Sequence, residues 1–216
     1  MAALSVQRLT PYQRPFTYVG IDYLGPFVVT VGRRSEKRWV VVFTCMVVRA
    51  IHLEVAFSLS AQSCIMAIRR FTSRRGPASE YFSDNGTNLK AASKEIIQHI
   101  QDMYGECAEE LTNARTCWHF NPPSALHMGG VWERMVRTVK QAMSALDDGR
   151  KLSDEILLTT LSEAEDMINS RPLMFVAQGS PESAITPNHF LRGAAPNEPQ
   201  EVLPPKNVGL ALRDAY

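Results

Sequence analysis

Three acidic residues, Asp22, Asp84 and Glu133, stand where a folded chain can bring carboxylates together. Asp22 lies at the junction of two β-prone runs. Asp84 closes the short run 79–83 and opens Asp84-Asn85-Gly86, a strong turn signal, while Glu133 starts the polar face of a helix. Three such hard oxygen ligands cannot stay ionised and close without cations, and Mg²⁺ favours a few carboxylates completed by waters and substrate phosphate oxygens. A two-ion version suits phosphodiester attack: one ion activates a water or hydroxyl and the other stabilises the leaving oxygen. Taken singly, each acid also has an ordinary role. Asp22 can be a strand-end residue satisfied by backbone, Asp84 can cap the turn before Thr87, and Glu133 can pair with Arg137 at i,i+4 for about 0.2–0.5 kcal/mol.

The elements that must position these acids follow from periodicity and punctuation. Residues 1–15 form a lead-in segment with Pro11 and Pro15. Residues 16–23 and 26–31, separated by Leu24-Gly25, are successive strands or one bent strand. Arg33, Arg34, Glu36, Lys37 and Arg38 form a hairpin tip, followed by antiparallel strands over 39–47 and 50–55. Ser60 caps a helix with Cys64, Ile68 and Phe71 on one face and Arg69, Arg70 and Arg74 on another, stopped by Gly76-Pro77. A strand over 79–83 is followed by a helix over 89–104, in which Ile96, Ile97, Ile100 and Met103 pack and which Gly105 stops; the acidic stretch after it is exposed. Residues 116–120 make a short edge strand ended by Asn121-Pro122-Pro123. A flexible loop at Gly129-Gly130 then enters a helix with the apolar stripe Trp132, Val136, Val139, Met143 and Leu146. Another helix begins at Ser153, carries Leu157, Leu161, Ala164 and Ile168 on one face and ends before Pro172. The proline-containing tail beyond holds only short helical turns near 186–191. This order gives an α/β fold, a mixed sheet with flanking helices.

At 216 residues and 45% hydrophobic, the chain can bury a real core, and a formal net charge of +1 neither demands nor excludes nucleic acid. Cys45, Cys64, Cys107 and Cys117 are too scattered for a zinc module or a disulfide framework, and are expected as reduced, largely buried thiols. No signal peptide opens the chain, and its longest apolar run, 39–48, is broken by Thr44 and too short to span a bilayer, so an intracellular protein without membrane contact is expected. Secondary candidates are Asn85 and Asn88, for a phosphate or metal-bound water or simply for the turn, and His127 in the glycine loop, which can close over a bound substrate. The arginines at 69, 70, 74 and 75 form a basic face that is more often solvated than nucleic-acid-binding. His52 and His119 alternate with apolar strand residues and are expected to be satisfied in or beside the sheet.

Three motifs occur together: Val19-Gly20-Ile21-Asp22-Tyr23-Leu24-Gly25-Pro26, then Tyr81-Phe82-Ser83-Asp84-Asn85-Gly86-Thr87-Asn88-Leu89, then Trp118-His119-Phe120-Asn121-Pro122-Pro123 through Gly129-Gly130-Val131-Trp132-Glu133. In these the chain resembles the catalytic core of retroviral and retrotransposon integrases, and the last motif looks most like the BEL/Pao class of long-terminal-repeat elements. The resemblance covers about residues 16–140 and, more weakly, runs on to Pro172 and to 186–191. It implies a ribonuclease-H-like mixed five-stranded sheet flanked by helices, with 16–172 as the catalytic core and 173–216 as an irregular tail. It also implies an Asp-Asp-Glu site of Asp22, Asp84 and Glu133 holding Mg²⁺ or Mn²⁺, and DNA contacts from Arg137 and Lys140. Glu133 follows Asp84 by 49 positions (133 minus 84), wider than the retroviral pattern, and Arg137 stands where lysine is usual.

The implied activity is 3′-end processing and strand transfer of retroelement DNA into target DNA by a homo-oligomer, in the nucleus after a cytoplasmic virus-like-particle stage. Family integrases add a zinc domain before the core and a DNA-binding region after it, so a core fragment or truncated frame is expected here. Pairing of copies is expected through the helices at 60–75 and 153–170. Two rivals stay open: a non-catalytic nucleic-acid-binding remnant, and ribonuclease H activity on RNA–DNA hybrids.

Overall fold

In the computed structural model, which describes residues 10, 12–83, 94–112, 116–120, 126–147, 149, 151–174 and 184–192, and their side chains except at 94–100 and 126–133, residues 18–31 form one bent strand. This strand, β1 (Tyr18–Val31), is antiparallel to β2 (Arg34–Cys45), with a register shift between Leu24 and Phe27 beside the cis Gly25–Pro26 bond. The irregularity needs glycine: at Gly25 φ is +133°, and a Cβ would sit 3.1 Å from the Arg38 carbonyl oxygen.

The hairpin turn is only Gly32-Arg33, so Arg34, Glu36, Lys37 and Arg38 belong to β2 rather than to a tip. The ladder from Phe27↔Arg38 to Val31↔Arg34 draws them into the strand, because the β-branched run opposite supplies partners for each. Arg38 is buried there, and its charge is matched by Glu36 at 2.7 Å and Asp154 at 2.8 Å.

β3 (Ile51–Ala56) pairs antiparallel with β2, while β4 (Glu80–Ser83) runs parallel to β1 and β5 (Cys117–Phe120) parallel to β4. The sheet order is β3-β2-β1-β4-β5, five strands in a mixed sheet. Helix α1 (Ala61–Arg75) is capped by Ser60, whose hydroxyl accepts from the Ser63 N–H, and closes on Gly76 at φ +83°. With α2 (Lys94–Leu111) it covers one sheet face, where Val19, Ile21, Tyr23, Val41, Phe43 and Cys45 meet the buried sides of both helices. On the other face Leu24, Val29, Val40 and Val42 pack against α3 (Leu126–Leu146) and α4 (Asp154–Asn169). A last short helix, α5 (Pro187–Arg192), follows the bridge Met174↔Ile185.

Two expected helix limits are corrected. α2 runs through Gly105 to Leu111, because Met103, Tyr104 and Cys107 continue its buried stripe. An internal glycine costs only about 1 kcal/mol against alanine, less than such a stripe contributes when buried. α3 begins at Leu126, so His127, Gly129 and Gly130 lie in its first turns and not in a flexible loop. No proline stands between Pro123 and Pro172 to stop the helix propagating back through them. Cys45, Cys64 and Cys107 are buried free thiols, and Cys117 is exposed. Among the described residues, no helix is long and apolar enough to cross a membrane.

The outer edge of β3 is closed by side chains instead of a strand. Asn169 at the end of α4 accepts from Ile51 N–H at 2.8 Å and donates to Ile51 C=O at 2.9 Å, Glu165 accepts from Leu53 N–H at 2.9 Å, and Arg70 donates to Val55 C=O at 2.6 Å. Beneath them His52, buried as expected, lies between Glu54 at 3.0 Å and Glu165 at 3.1 Å. Arg70 and Arg74 bind Glu54, and Arg75 binds Glu165. Burial opposes the charge on His52, but hydrogen bonds with Glu165 and Glu54 outweigh it and raise its pKa above 6.5. Burial likewise opposes both carboxylates, yet His52 and the arginines hold them below 4.5.

The His52 contribution to stability is therefore complete below pH 6.5 and is lost as pH rises through its raised folded value. The carboxylate contributions are complete above pH 4.5 and are lost as pH falls through their lowered folded values. The melting temperature should fall on both sides of that window, and His52→Gln should flatten the alkaline side. Superimposable alkaline limbs for the two proteins would contradict this assignment.

Candidate metal and nucleic-acid site

β4 is only four residues long, and its place beside β1 is set by a ladder running from Tyr18↔Glu80 to Ile21↔Ser83. Ser83 is fully buried, and its hydroxyl accepts from Trp118 Nε1 at 2.9 Å, which ties the end of β4 to β5. On one side of this pair the Tyr81 and Trp118 rings lie 5.4 Å apart. On the other, Phe82 and His119 stack at 5.0 Å, and His119 reaches Glu80 at 3.2 Å, which satisfies the second histidine at the sheet edge.

Asp22 is the first β1 residue beyond the end of β4, and Asp84 is the next residue in sequence after Ser83. Asp22 is half-buried, and its Oδ1 accepts from the Tyr23 N–H at 2.7 Å. Its face follows from alternation: Ile21 and Tyr23 enter the core under α1 and α2. Asp22 pairs with Val42, which packs under α3 and α4. A carboxylate is thus set into the α3 side of the sheet, beside the apolar side chains Leu24, Val40 and Val42.

Helix α3 buries Met135, Val139 and Ala142, with Val136, Met143 and Leu146 packed at the margin. The expected stripe is therefore rotated toward Met135 and Ala142, because the helix presents its face to α4 as well as to the sheet. Arg137 and Lys140 are exposed, as is Arg134. At 100° per residue, position 133 lies about 120° around α3 from Val139, between Lys140 and Arg137. These three positions share the flank of a helix whose buried side covers the Asp22 face of the sheet.

The placements are thus uneven. Asp22, Arg137 and Lys140 are described in full. Glu133 and His127 are placed by backbone in α3, while Asp84, Asn85 and Asn88 lie outside the described residues. Among the described residues no three His, Cys, Asp or Glu side chains converge as a metal-ligating group. The donor chemistry nevertheless fits a hard divalent cation, since Asp22 offers carboxylate oxygen at the rim of a packed sheet and the two further candidates are also carboxylates. The basic face of α1 resolves differently from a nucleic-acid track: Arg70, Arg74 and Arg75 are paired with Glu54 and Glu165, and only Arg69 of the four has no carboxylate among the described residues. Sequence inspection missed Ser83 as an anchor. Its signal was a small polar residue at the end of an apolar run, opposite a tryptophan whose N–H needs an acceptor when half-buried.

Ser83→Ala should cost about 1–2 kcal/mol by leaving the Trp118 N–H without its acceptor. Thermal unfolding should show this as a melting temperature lower by roughly 2–6 °C, and an unchanged midpoint would contradict the anchoring role.

No family model and no curated protein sequence matches the chain. Solved structures do. The HTLV-2 integrase catalytic core domain in complex with magnesium, in a trimeric form, aligns at TM-score 0.51 and 16% identity, over 82% of this chain and 97% of that one. The catalytic core domain of BIV integrase aligns at TM-score 0.50 and 16% identity, over 82% and 94%. A chain of the simian T-cell lymphotropic virus intasome, solved with PP2A regulatory subunit B56 gamma, aligns at TM-score 0.52 and 15% identity, over 87% of this chain. This chain spans 57% of the length of that intasome chain. At these identities the likeness is one of fold: the protein has the ribonuclease-H-like fold of retroviral integrase catalytic cores.

Proposed function

We propose that this chain is the catalytic core of a BEL/Pao-type retroelement integrase, which trims the 3′ end of element DNA and joins it to target DNA. The observation that carries the reading is the β1–β4 ladder, whose last described pair is Ile21↔Ser83, with Asp22 and Asp84 the residues that follow that pair in sequence. Parallel strands commonly place ligands just beyond their carboxyl ends. Glu133, on the helix that covers the Asp22 face, is the third ligand.

A Mg²⁺ or Mn²⁺ pair held by these carboxylates would supply the charge that activates a water or a 3′-hydroxyl and stabilises the leaving oxygen. The HTLV-2 core solved with magnesium supports that choice of ion. The chain's own residues bind and orient the DNA. Arg137 and Lys140, exposed on the flank of α3 that bears Glu133, hold backbone phosphates, Arg137 with a fork suited to two oxygens. Asn85, Asn88 and His127 assist at the DNA end. The protein acts as a homo-oligomer on nuclear DNA. Exposed Met66 on α1 and Leu158 and Met167 on α4 give apolar surface for pairing copies.

Incubation of the full chain with labelled duplex carrying element ends, in Mg²⁺ or Mn²⁺, tests the reading. The wild type should release the terminal nucleotides and form joined products. Asp22→Asn and Glu133→Gln should each lower that rate by at least about 100-fold, the scale of losing one transition-state electrostatic contact. Equal activity in wild type and Glu133→Gln would sink the site.

A further inference from the structure

β1 runs ten residues, 22–31, past Ile21↔Ser83, its last described pair with β4. Those residues carry the β1–β2 hairpin outward from Asp22 to the turn at Gly32-Arg33, where Val31 pairs with Arg34. The projection is braced along its length. The Thr30 N–H donates to the Leu152 carbonyl at 2.8 Å, Val29 is fully buried, and Arg38 spans Glu36 at 2.7 Å and Asp154 at 2.8 Å.

Positive charge is left over at its end. Glu36 is the only acid between Asp22 and Glu54, and Arg38 takes it up together with Asp154. Arg33, Arg34, Lys37 and Lys151 are exposed, and their side chains have no hydrogen bond or carboxylate among the described residues. Alternation along β2 sorts them. Val40 and Val42 pack under α3 and α4 and Arg38 meets Asp154, so Arg34 falls on that face, which is also the face of Asp22. Lys37 falls on the opposite face with Trp39 and Val41, paired with the exposed Val28. Lys151 precedes the residue that bonds Thr30, on the edge of β1 away from β2.

Helix α3 leads to the same place. Leu146, its last residue, and Leu152 pack into the cluster that holds Phe27 and Val29. From Glu133 to Leu146 the helix rises about 20 Å, and from Asp22 to Thr30 the strand advances about 25 Å. Helix and strand therefore run side by side from the proposed carboxylates to one basic end, with Arg137 and Lys140 exposed on the way.

We infer that Arg33, Arg34 and Lys151 form a second phosphate-contact site, beyond Arg137 and Lys140, for the arm of a DNA duplex that leaves the carboxylates along α3. This rests on the proposed function, which puts DNA at Asp22 and Glu133. Cations gathered without carboxylates on a braced projection repel one another, and a polyanion relieves that repulsion while releasing its own counterions. The distance from Asp22 corresponds to about eight base pairs of duplex at ~3.4 Å each. Contacts of this kind go to the backbone and do not read sequence.

Anisotropy of a labelled duplex of about 30 base pairs and arbitrary sequence, followed against salt concentration in EDTA, tests the site without catalysis. Arg34→Gln should lower the salt slope by about one. Lys37→Gln removes the same charge from the opposite face and should leave the slope unchanged. Arg33→Gln/Arg34→Gln/Lys151→Gln should lower it by about two to three and weaken binding at least about tenfold. The charge-keeping Arg33→Lys/Arg34→Lys/Lys151→Arg should bind like the wild type. All four should melt with the wild type, since these side chains hold nothing in the fold among the described residues.

Equal slopes in wild type and the folded triple glutamine variant would overturn the site and leave the integrase reading standing. So would equal losses from Arg34→Gln and Lys37→Gln, or weak binding by the charge-keeping variant. Binding that is lost in the triple glutamine variant, in a protein that forms no joined products with Mn²⁺, would keep the site and overturn the integrase reading. No duplex binding by the wild type, whether or not polyglutamate binds through these residues, would overturn both.

Discussion

The parallel ladder between β1 and β4 is the constraint on which the rest depends. It consists of four residue pairs, and it decides which residues of two strands distant in sequence emerge together at the end of β4. A side-chain period of two makes such a ladder unforgiving, since a slip of one residue would turn Asp22 away from α3 and put Ile21 in its place. The structure guards the register from both sides. Val19, Ile21, Tyr81 and the α1 and α2 side chains fill one face, and the Trp118–Ser83 hydrogen bond pins the last residue of β4 to β5.

Two helices on the other face then act as a clamp with a polar rim. α3 lies over β1 and β2 through Met135, Val139 and Ala142, and α4 lies beside it through Leu157, Leu161, Ala164 and Ile168. α4 also closes the β3 edge, where Asn169 and Glu165 take up backbone groups that would otherwise face solvent or another strand. The ionic cluster around His52 joins that edge to α1, so β3, α1 and α4 share one set of charges. Replacing one partner of such a cluster costs more than the pair contributes, because the charge left behind is desolvated.

Much of this was legible in the residues. The two runs before Val31, the Ser60 and Ser153 caps, the stop at Gly76-Pro77, the short β4 and the edge position of β5 follow from local chemistry, and all are found. What misled was punctuation without context. Gly105 and Gly129-Gly130 suggested breaks, yet both lie inside helices, and at Gly105 the buried stripe of Met103, Tyr104 and Cys107 runs through. The charged run 33–38 suggested a tip, yet most of it is strand, because cross-strand pairing and the buried Arg38 ion pairs are non-local. For the candidate site, the exposure of Arg137 and Lys140 agrees with what the sequence suggested, whereas Asp22, expected at a strand end, lies inside the continuous strand β1, paired with Val42. The edge-capping roles of Asn169 and Glu165 were hidden, since nothing local marks a polar residue on an amphipathic helix as a backbone partner of a distant strand.

The account stands on whether Asp22 and Asp84 act together on one cation. Calorimetric titration of Mn²⁺ into the wild-type chain, Asp22→Asn and Asp84→Asn measures this without DNA or turnover. Saturable binding in the wild type that is lost in both variants, with their melting temperatures kept, is the expected result. Binding of equal strength in Asp22→Asn and wild type, or no binding in any of the three, would contradict it.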